Sequence, residues 1–399
     1  MFKYQNTYGD RESMTYYFTI YVTTDCNFRC SYCYEKYEDI CWLDEVSIIE
    51  ILDFVFCYGD GEIYLNFMGG EPLLKKELIY QSIDYIKYKY PTRSVKYSIT
   101  TNGSLLDENF IFFLKENSFS IRLSFDGNKA THEMNRVSVL GISYYEKIIK
   151  GIHKMKNIGL NFMIRMTIAQ NTIPYMYENI RYLHEQGFNN IGMIMDVHLI
   201  LSDDLKEIFK MQIDRIVDYY VQEYSKGKKL VINQFDGKMI NILCDFGNCF
   251  SMCDAGITNF KIMPTGKIYP CGFLTNNTQF EIGNVNNGIN IRKAKDLAAS
   301  LFEKSDIKCS GCEIRDFCQG MKCGYMNYIN TGKINIPTDA VCFCEQIFYK
   351  AIKKIVDYYL LQPKELRKRT LGHYIAYIKK NGLQYSKYGM KVKFRLEND

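Results

Sequence analysis

Three cysteines lie close together near the start of the chain, at Cys26, Cys30 and Cys33. They follow an apolar run over residues 16–24 that is typical of a strand. Three thiolates can hold three irons of a cubane [4Fe–4S] cluster and leave the fourth iron open to a ligand. Structural cysteines, or a zinc site that lacks one ligand, are the alternatives. The spacing therefore predicts a redox metal site where an early strand ends.

Composition describes a globular chain. Of its 399 residues, 47% are apolar and 24% are charged, which is typical of a folded protein. No apolar run reaches the ~18 residues that a membrane-spanning helix needs, and the polar start of the chain carries no signal peptide. We therefore expect a cytoplasmic protein. In a reducing compartment its fifteen cysteines are expected to be metal ligands or redox groups rather than disulfides.

Apolar runs alternate with amphipathic helical patterns through the first half of the chain. Six strands separated by helices indicate repeated βα units and a parallel sheet. Six units rather than eight predict an α/β fold in the form of a partial barrel, with its chemistry at the carboxyl ends of the strands. The strands are expected near 17–25, 61–67, 95–101, 120–125, 161–169 and 190–195, and the helices near 44–58, 76–89, 107–117, 143–157 and 175–186.

Short polar blocks follow three of these strands. The second strand runs into Gly69-Gly70-Glu71, the third ends in the block 100–103 (TTNG), and the fourth in 124–127 (SFDG), with His132 and Arg136 downstream. Two adjacent glycines allow a ligand to approach the backbone closely. Each block alone is also explained by ordinary turn chemistry, and His132 is as readily structural as catalytic.

Taken together, the three-cysteine spacing with Tyr32 before its last member, and the blocks in that order, resemble the radical SAM superfamily. The resemblance implies a partial (β/α)6 barrel whose open iron binds S-adenosylmethionine, and one-electron cleavage of that cofactor to a 5′-deoxyadenosyl radical. It implies that the carbonyl near Gly70 accepts from the SAM amino group, that Ser124 and Arg136 hold the carboxylate, and that Val197 packs on the adenine. The implied cofactor-binding residues are Tyr32, Gly69, Gly70, Glu71, Asn102, Ser124, Asp126, Arg136 and Val197.

A second group of cysteines follows Gly237 and holds ten of the fifteen. Its pattern is CX12GX4C from Cys253, then CX2CX5CX4C from Cys309, then a further Cys. A Pro-Thr-Gly turn within 260–269 predicts a hairpin. The pattern resembles the SPASM domain, with one departure, because four residues rather than three precede Cys323.

The SPASM resemblance implies two auxiliary [4Fe–4S] clusters and thus three clusters in all. The first would use Cys253, Cys271 and Cys323 with Cys249, and Cys244 is the alternative fourth ligand. The second would use Cys309, Cys312, Cys318 and Cys342, with Cys344 competing for the last place. Zinc remains the alternative for any CxxC pair. Cys41 and Cys57, within helical patterns, are expected to be buried apolar residues.

These patterns predict four segments: residues 1–15, a barrel over 16–230, a SPASM domain over 231–345, and a basic helical extension over 346–399. From Glu345 to the end the chain carries thirteen Lys or Arg and five Asp or Glu. Such a cluster is usually a solvated helix face, and binding of an acidic leader peptide is the functional alternative. No nucleic-acid motif accompanies it, so nucleic acid is not expected as a partner.

The substrate class follows from the resemblance and from one position. SPASM enzymes mostly act on peptides or proteins, and in the branch of anaerobic sulfatase-maturing enzymes an Asp base follows the cysteine that matches Cys271. Here that residue is Gly272, which cannot take a proton. We therefore expect a maturase of ribosomally made peptides that forms a thioether, C–C or other oxidative bond, with its catalytic acid or base unassigned.

The expected partners are a Cys-rich precursor peptide and a one-electron reductant such as flavodoxin or ferredoxin. A separate leader-binding protein is also expected, since about fifteen residues precede the first strand. Formylglycine formation on a protein Cys or Ser is one alternative function. An iron–sulfur electron carrier without catalysis is the other, and it would need no SAM pocket.

Overall fold

The computed structural model describes residues 14–35, 39–245, 253–300 and 307–398. Strands and helices alternate from the first strand onward, and helices dominate the carboxyl-terminal part. The strands are β1 (Tyr16–Thr23), β2 (Ile63–Gly69), β3 (Val95–Thr101), β4 (Ser120–Ser124), β5 (Phe162–Ile168), β6 (Asn190–Met195), β7 (Val231–Ile232), β8 (Asn259–Ile262), β9 (Lys267–Tyr269), β10 (Gly283–Asn284) and β11 (Gly288–Ile289).

The helices of eight residues or more follow the same order. They are α1 (Glu45–Tyr58), α2 (Lys76–Lys89), α3 (Glu108–Glu116), α5 (Tyr145–Asn157), α6 (Met176–Glu185), α7 (Asp203–Ser225), α8 (Asn233–Leu243), α9 (Ile291–Ser300), α12 (Gly324–Thr331), α13 (Asp339–Leu360), α14 (Lys364–Lys380) and α15 (Lys387–Asn398). Shorter helices are α4 (Lys129–Asn135), α10 (Ile307–Ser310) and α11 (Gln319–Lys322).

The chain divides into two compact units, and the first contains the cysteine loop. It is formed by Met1–Ser124, Asn135–Met163 and Cys253–Phe302. In it β1 pairs in parallel with β2 on one side and β8 on the other, and β2, β3 and β4 continue the parallel sheet. Strands β8 to β11 pair antiparallel in succession. The carboxyl ends of β1 to β4 therefore lie at one edge of the sheet, where the predicted blocks begin.

The two faces of this sheet differ in polarity. In β2, Ile63, Leu65 and Phe67 are fully buried, whereas the alternating residues are only partly buried. Successive side chains of a strand point to opposite faces. One face is therefore apolar, and the other carries polar side chains such as Asn66. Helices begin where side chains cap them: the Asp44 carboxylate accepts from Ser47 N, and Asp107 accepts from Phe110 N.

The second unit is formed by Phe125–Met134, Ile164–Met252 and Glu303–Asp399. Strands β5, β6 and β7 pair in parallel within it. Helix α13 packs along α7 and α8. The partly buried Asp236 accepts hydrogen bonds from the hydroxyls of Tyr220 at 3.1 Å and Tyr374 at 2.9 Å. The hydrogen bonds of this carboxylate therefore connect α14, in the basic extension, to α7 and α8.

The predicted α/β class is confirmed, and each expected strand and helix of residues 16–197 lies within a few residues of its predicted position. The hairpin is present as β8 and β9. Two predictions were wrong: Cys41 lies outside any helix and is partly buried, and Cys57 is exposed on α1. Among the described residues, no helix is long and apolar enough to cross a membrane.

Candidate functional site

The cysteine loop leaves the end of β1 and brings its three thiols together. Cys26 is buried, and Cys30 and Cys33 are partly exposed. Burial raises the pKa of the Cys26 thiol to about 12, and Glu71, Cys30 and Cys33 act in the same direction. Because Cys30 and Cys33 act on the Cys26 thiol, both lie near it. The donor set therefore fits a cluster held by three thiolates, with partial exposure on the side of Cys30 and Cys33.

A neighbouring segment fixes the shape of this loop. Backbone amides of Arg29 and Ser31 donate to the carbonyls of Val137 at 2.8 Å and Asn135 at 3.0 Å. The same segment carries Arg136, which is buried, and its guanidinium carbon lies 5.4 Å from the ring centre of Tyr32. Two residues predicted to bind SAM thus lie together beside Cys33.

Gly69 and Gly70 are required by the backbone of the cysteine loop itself. A Cβ on Gly69 would lie 2.0 Å from the carbonyl oxygen of Thr23, and one on Gly70 would lie 2.0 Å from that of Asp25. The amides of Gly70 and Glu71 donate to those same carbonyls at 2.9 and 2.8 Å. Any larger residue would push the cysteine loop away from the end of β2.

Glu71 is fully buried and stabilises the turn after β2. Its carboxylate accepts from the Thr101 hydroxyl and the Asn102 amide, both at 2.7 Å, and from the Leu73 amide at 3.0 Å. Burial raises the pKa of Glu71 to about 7, and these three hydrogen bonds oppose the shift. The side chain therefore joins the ends of β2 and β3.

Asn102 connects the end of β3 to the cysteines. Its side-chain amide lies 3.8 Å from Cys26 Sγ and donates to the Asn27 side chain at 2.9 Å. Its carbonyl oxygen accepts from the amide and hydroxyl of Ser104 at 2.9 and 2.7 Å. The side chain is buried, so it positions Cys26 Sγ. Ser124, partly buried, ends β4 at the same edge of the sheet.

The remaining predicted SAM residues lie in the second unit. Asp126 is buried and accepts from the Thr167 amide at 2.9 Å, and its own amide donates to Nδ1 of His132 at 3.4 Å. The carbonyl of Val197 accepts from the Asn330 side chain at 2.8 Å, and the Val197 side chain is partly buried. His132 is buried against Phe125, which gives it a structural role within this unit.

Four cysteines surround one cavity in the second unit. Cys309, Cys312, Cys318 and Cys342 all line a space of about 190 Å³. These are the four that the SPASM resemblance implies for the second auxiliary cluster. The competitor Cys344 is buried elsewhere on α13 and does not line the cavity, and burial raises the pKa of its thiol to about 12. Within the described segments, no three His, Cys, Asp or Glu form a group that could hold a single metal ion.

The cysteines proposed for the first auxiliary cluster belong to different parts of the chain. Cys253 and Cys271 flank the β8–β9 hairpin in the first unit, whereas Cys323 lies between α11 and α12 in the second. Cys244 is buried at the end of α8. Cys249 lies outside the described residues.

The sequence did not predict the contact of Tyr21 with Gly272, or the position of Glu35 near Tyr21. A Cβ on Gly272 would lie 2.7 Å from the hydroxyl of Tyr21 and 3.7 Å from that of Tyr34. Burial raises the pKa of the Glu35 carboxyl to about 7, and its interaction with Tyr21 opposes the shift. One signal was present in the sequence: Tyr21 alternates with apolar Ile20 and Val22 on β1, which places its polar end on the other face.

Residues 20–172 match the model of the Radical SAM superfamily. The chain contains a radical SAM domain. A cysteine-type anaerobic sulfatase-maturating enzyme of Clostridium perfringens is 25% identical over 319 residues, covering 75% of this chain and 86% of that protein. The radical SAM domain thus identifies the chain as an enzyme. The superfamily implies a [4Fe–4S] cluster and S-adenosylmethionine as cofactors.

Solved structures share the fold of this radical SAM enzyme. Native anSMEcpe with bound AdoMet and Kp18Cys peptide has a TM-score of 0.74 at 22% identity, covering 86% of this chain and 99% of that one. Streptococcus suis SuiB bound to precursor peptide SuiA has a TM-score of 0.60 at 18% identity, covering 83% of this chain and 76% of SuiB. At these identities the likeness concerns the fold.

Proposed function

We propose that this radical SAM enzyme oxidises a peptide by removing two hydrogens, leaving a crosslinked or dehydrogenated product rather than formylglycine. The observation that carries the proposal is the contact at Gly272. The position that holds a carboxylate base in the sulfatase-maturing branch holds no side chain here, and the Tyr21 hydroxyl fills the adjacent space. Tyr21 is fully buried, so it cannot swing aside without disturbing the core.

The chain's own residues would bind and orient SAM at the edge of the first unit's sheet. Cys26, Cys30 and Cys33 would hold the cluster, which when bound supplies the electron that cleaves SAM. Arg136, stacked on Tyr32, would pair with the SAM carboxylate. The carbonyl near Gly70 would accept from its amino group.

The reaction balances with a one-electron reductant and a one-electron acceptor. With one electron from the reductant, SAM held at the site would supply the chemistry that removes one hydrogen atom from the peptide. The peptide radical then loses one proton and one electron as the new bond forms. We assign that second electron to auxiliary clusters, for which the cavity lined by Cys309, Cys312, Cys318 and Cys342 supports one site.

Formylglycine formation is the second candidate, and two observations favour it. The sulfatase-maturating relative shares 25% identity over 319 residues. Glu35 also supplies a carboxyl group whose pKa Tyr21 influences, and Tyr21 lies against Gly272. In this alternative Glu35 would replace the base that residue 272 lacks.

The deciding experiment offers two peptides to the reconstituted enzyme with SAM and dithionite. One is a sulfatase-type Cys-x-Pro-x-Arg peptide, and the other is a small Cys-rich peptide of the proposed precursor class. Mass spectrometry should show loss of two hydrogen atoms from the Cys-rich peptide and no aldehyde on the first. Efficient conversion of the sulfatase peptide to formylglycine would overturn the proposal. An iron–sulfur electron carrier without catalysis would release no 5′-deoxyadenosine. The Cys26→Ala variant is the matched negative control for this release.

A further inference from the structure

A row of polar side chains crosses the first unit's sheet below the cysteine loop. Thr19 on β1 is in register with Lys261 on β8 and with Asn66 on β2. Asn66 is in turn in register with Ser98 on β3. Neighbouring strands lie about 4.8 Å apart, so these four side chains form a continuous line on one face.

The hydrogen bonds of Lys261, Thr19 and Asn66 leave some of their donor hydrogens without an acceptor among the described residues. The Lys261 ammonium donates to Oδ1 of Asn259 at 2.6 Å and to the Thr19 hydroxyl at 3.3 Å. The Asn66 carbonyl oxygen accepts from the Ser98 hydroxyl at 2.9 Å and from Arg122 at 3.2 Å. The third ammonium hydrogen, the Thr19 hydroxyl hydrogen and the Asn66 amide hydrogens have no acceptor among the described residues.

Lys261 is the charged member of the row. No carboxylate in the described segments pairs with Lys261, whose direct partners are a hydroxyl and an amide oxygen. An ammonium that is partly buried and has no carboxylate partner favours an anion on this face.

We propose that Lys261, Thr19 and Asn66 form a subsite for a carboxylate of the peptide substrate. The geometry matches a carboxylate, because one oxygen can accept from the ammonium and hydroxyl while the other accepts from the Asn66 amide. The face is partly open, since Asn66 and Lys261 are partly exposed and Tyr17 on the same face is 42% exposed, although Thr19 between them is buried. The inference rests on the proposed function only in taking a peptide as the substrate.

The position of the subsite predicts where the acidic group lies in the peptide. Thr19 is four residues before Thr23, where β1 ends and the cysteine loop begins. At about 3.3 Å per residue this is roughly 13 Å along the strand. An extended peptide covers that distance in about four residues. The carboxylate is therefore an Asp, Glu or chain terminus about four residues from the residue that is modified.

The test uses the full reconstituted enzyme with SAM and two matched libraries of random peptides. Asp and Glu in the first library are replaced by Asn and Gln in the second, and retention on the immobilised protein is measured. The wild type should retain the acidic library about tenfold better, as expected for a charge-assisted contact. Lys261→Met should abolish that preference, and Thr19→Val should weaken it. Lys267→Met is the matched control, because Lys267 on β9 already pairs with Glu281 at 3.2 Å.

Three outcomes would overturn the subsite. The wild type could show no preference for acidic peptides, or Lys261→Met could keep the preference. The Lys261→Met variant could also hold less iron than the wild type. That result would mean that the ammonium stabilises metal bound by the nearby Cys253 and Cys271. Peptide oxidation by the wild type is measured separately, so loss of the subsite would leave the proposed function standing.

Discussion

The hydroxyl oxygen of Tyr21 lies 2.7 Å from the point where a Cβ on Gly272 would stand, and its ring carbon Cζ lies 4.0 Å from that point. The first distance is a clash and the second is an ordinary contact. The hydroxyl alone therefore excludes a side chain at residue 272. This contact separates the chain from enzymes that place a carboxylate there, and it can be tested by exchanging both residues.

Gly272→Ala should destabilise the protein by about 1–3 kcal/mol, the usual cost of overpacking a buried site. In a Tyr21→Phe background the same change should cost clearly less, because the clashing oxygen is gone. Chemical denaturation of the wild type, the two single variants and the double variant gives the free energy of unfolding of each. Their differences give the coupling free energy between Tyr21 and Gly272. An equal loss of unfolding free energy in both backgrounds would show that the Tyr21 hydroxyl does not exclude a side chain at residue 272.

Iron content distinguishes Cys342 from Cys344. Wild-type protein reconstituted without oxygen should hold about twelve irons, from three cubane clusters. Cys342→Ala should reduce this to about eight, because Cys342 lines the four-cysteine cavity, whereas Cys344→Ala should retain the full content. Colorimetric iron and sulfide assays give the counts. A loss of iron in Cys344→Ala alone would reverse the assignment, and stoichiometric zinc would exclude the cluster.

Sequence periodicity was sufficient for the fold because each strand of the parallel sheet is a local apolar run bounded by helical patterns. The bounds of β1 and β2 differ from the predicted ones by about two residues, because a pattern of apolar residues fixes the existence of an element better than its ends. The extra tail helix α15, Lys387–Asn398, was not predicted. Its mean hydropathy is low, and its position depends on packing against α8 and α14, which no local pattern encodes.

The site was predictable only where its residues are close in sequence. The cysteine spacing located the loop, but the reason for Gly69 and Gly70 is a contact with the carbonyls of Thr23 and Asp25, more than forty positions earlier. Lys261 and Thr19 likewise meet only because β8 pairs with β1. Such long-range contacts leave no periodic signal, so reasoning from one sequence could not anticipate them.

Arg136→Ala should weaken SAM binding by roughly 1–3 kcal/mol, the value of a charge-assisted contact. The guanidinium is buried and stacked on Tyr32, so alanine removes both the charge and the stacking surface. Isothermal titration of the reconstituted enzyme with SAM measures the change. Arg181→Ala is the control, since that side chain is exposed and pairs with Glu185 at 3.4 Å. An unchanged affinity in the Arg136 variant would remove it from the SAM site.

His184 should make the second unit sensitive to acid. Its ring is buried, with one nitrogen 2.8 Å from the Tyr219 hydroxyl and the other 3.2 Å from the Lys229 carbonyl. A neutral ring satisfies both partners, by accepting from the hydroxyl and donating to the carbonyl. Burial lowers the pKa of His184 below its usual 6.5, although the Lys229 carbonyl opposes the shift.

Because the folded pKa lies below the unfolded one, the unfolded chain takes up a proton first as the pH falls. The stability that neutral His184 contributes is therefore complete above about pH 6.5 and is lost as the pH falls through the lower folded value.

His184→Gln keeps a donor and an acceptor but cannot titrate, so its unfolding midpoint should fall less between about pH 7 and pH 5. The exposed His198 supplies the control variant, His198→Gln, which should follow the wild type. His373, whose pKa burial also lowers, contributes to the slope that remains. If His184→Gln and the wild type lose stability in parallel, the acid sensitivity arises elsewhere.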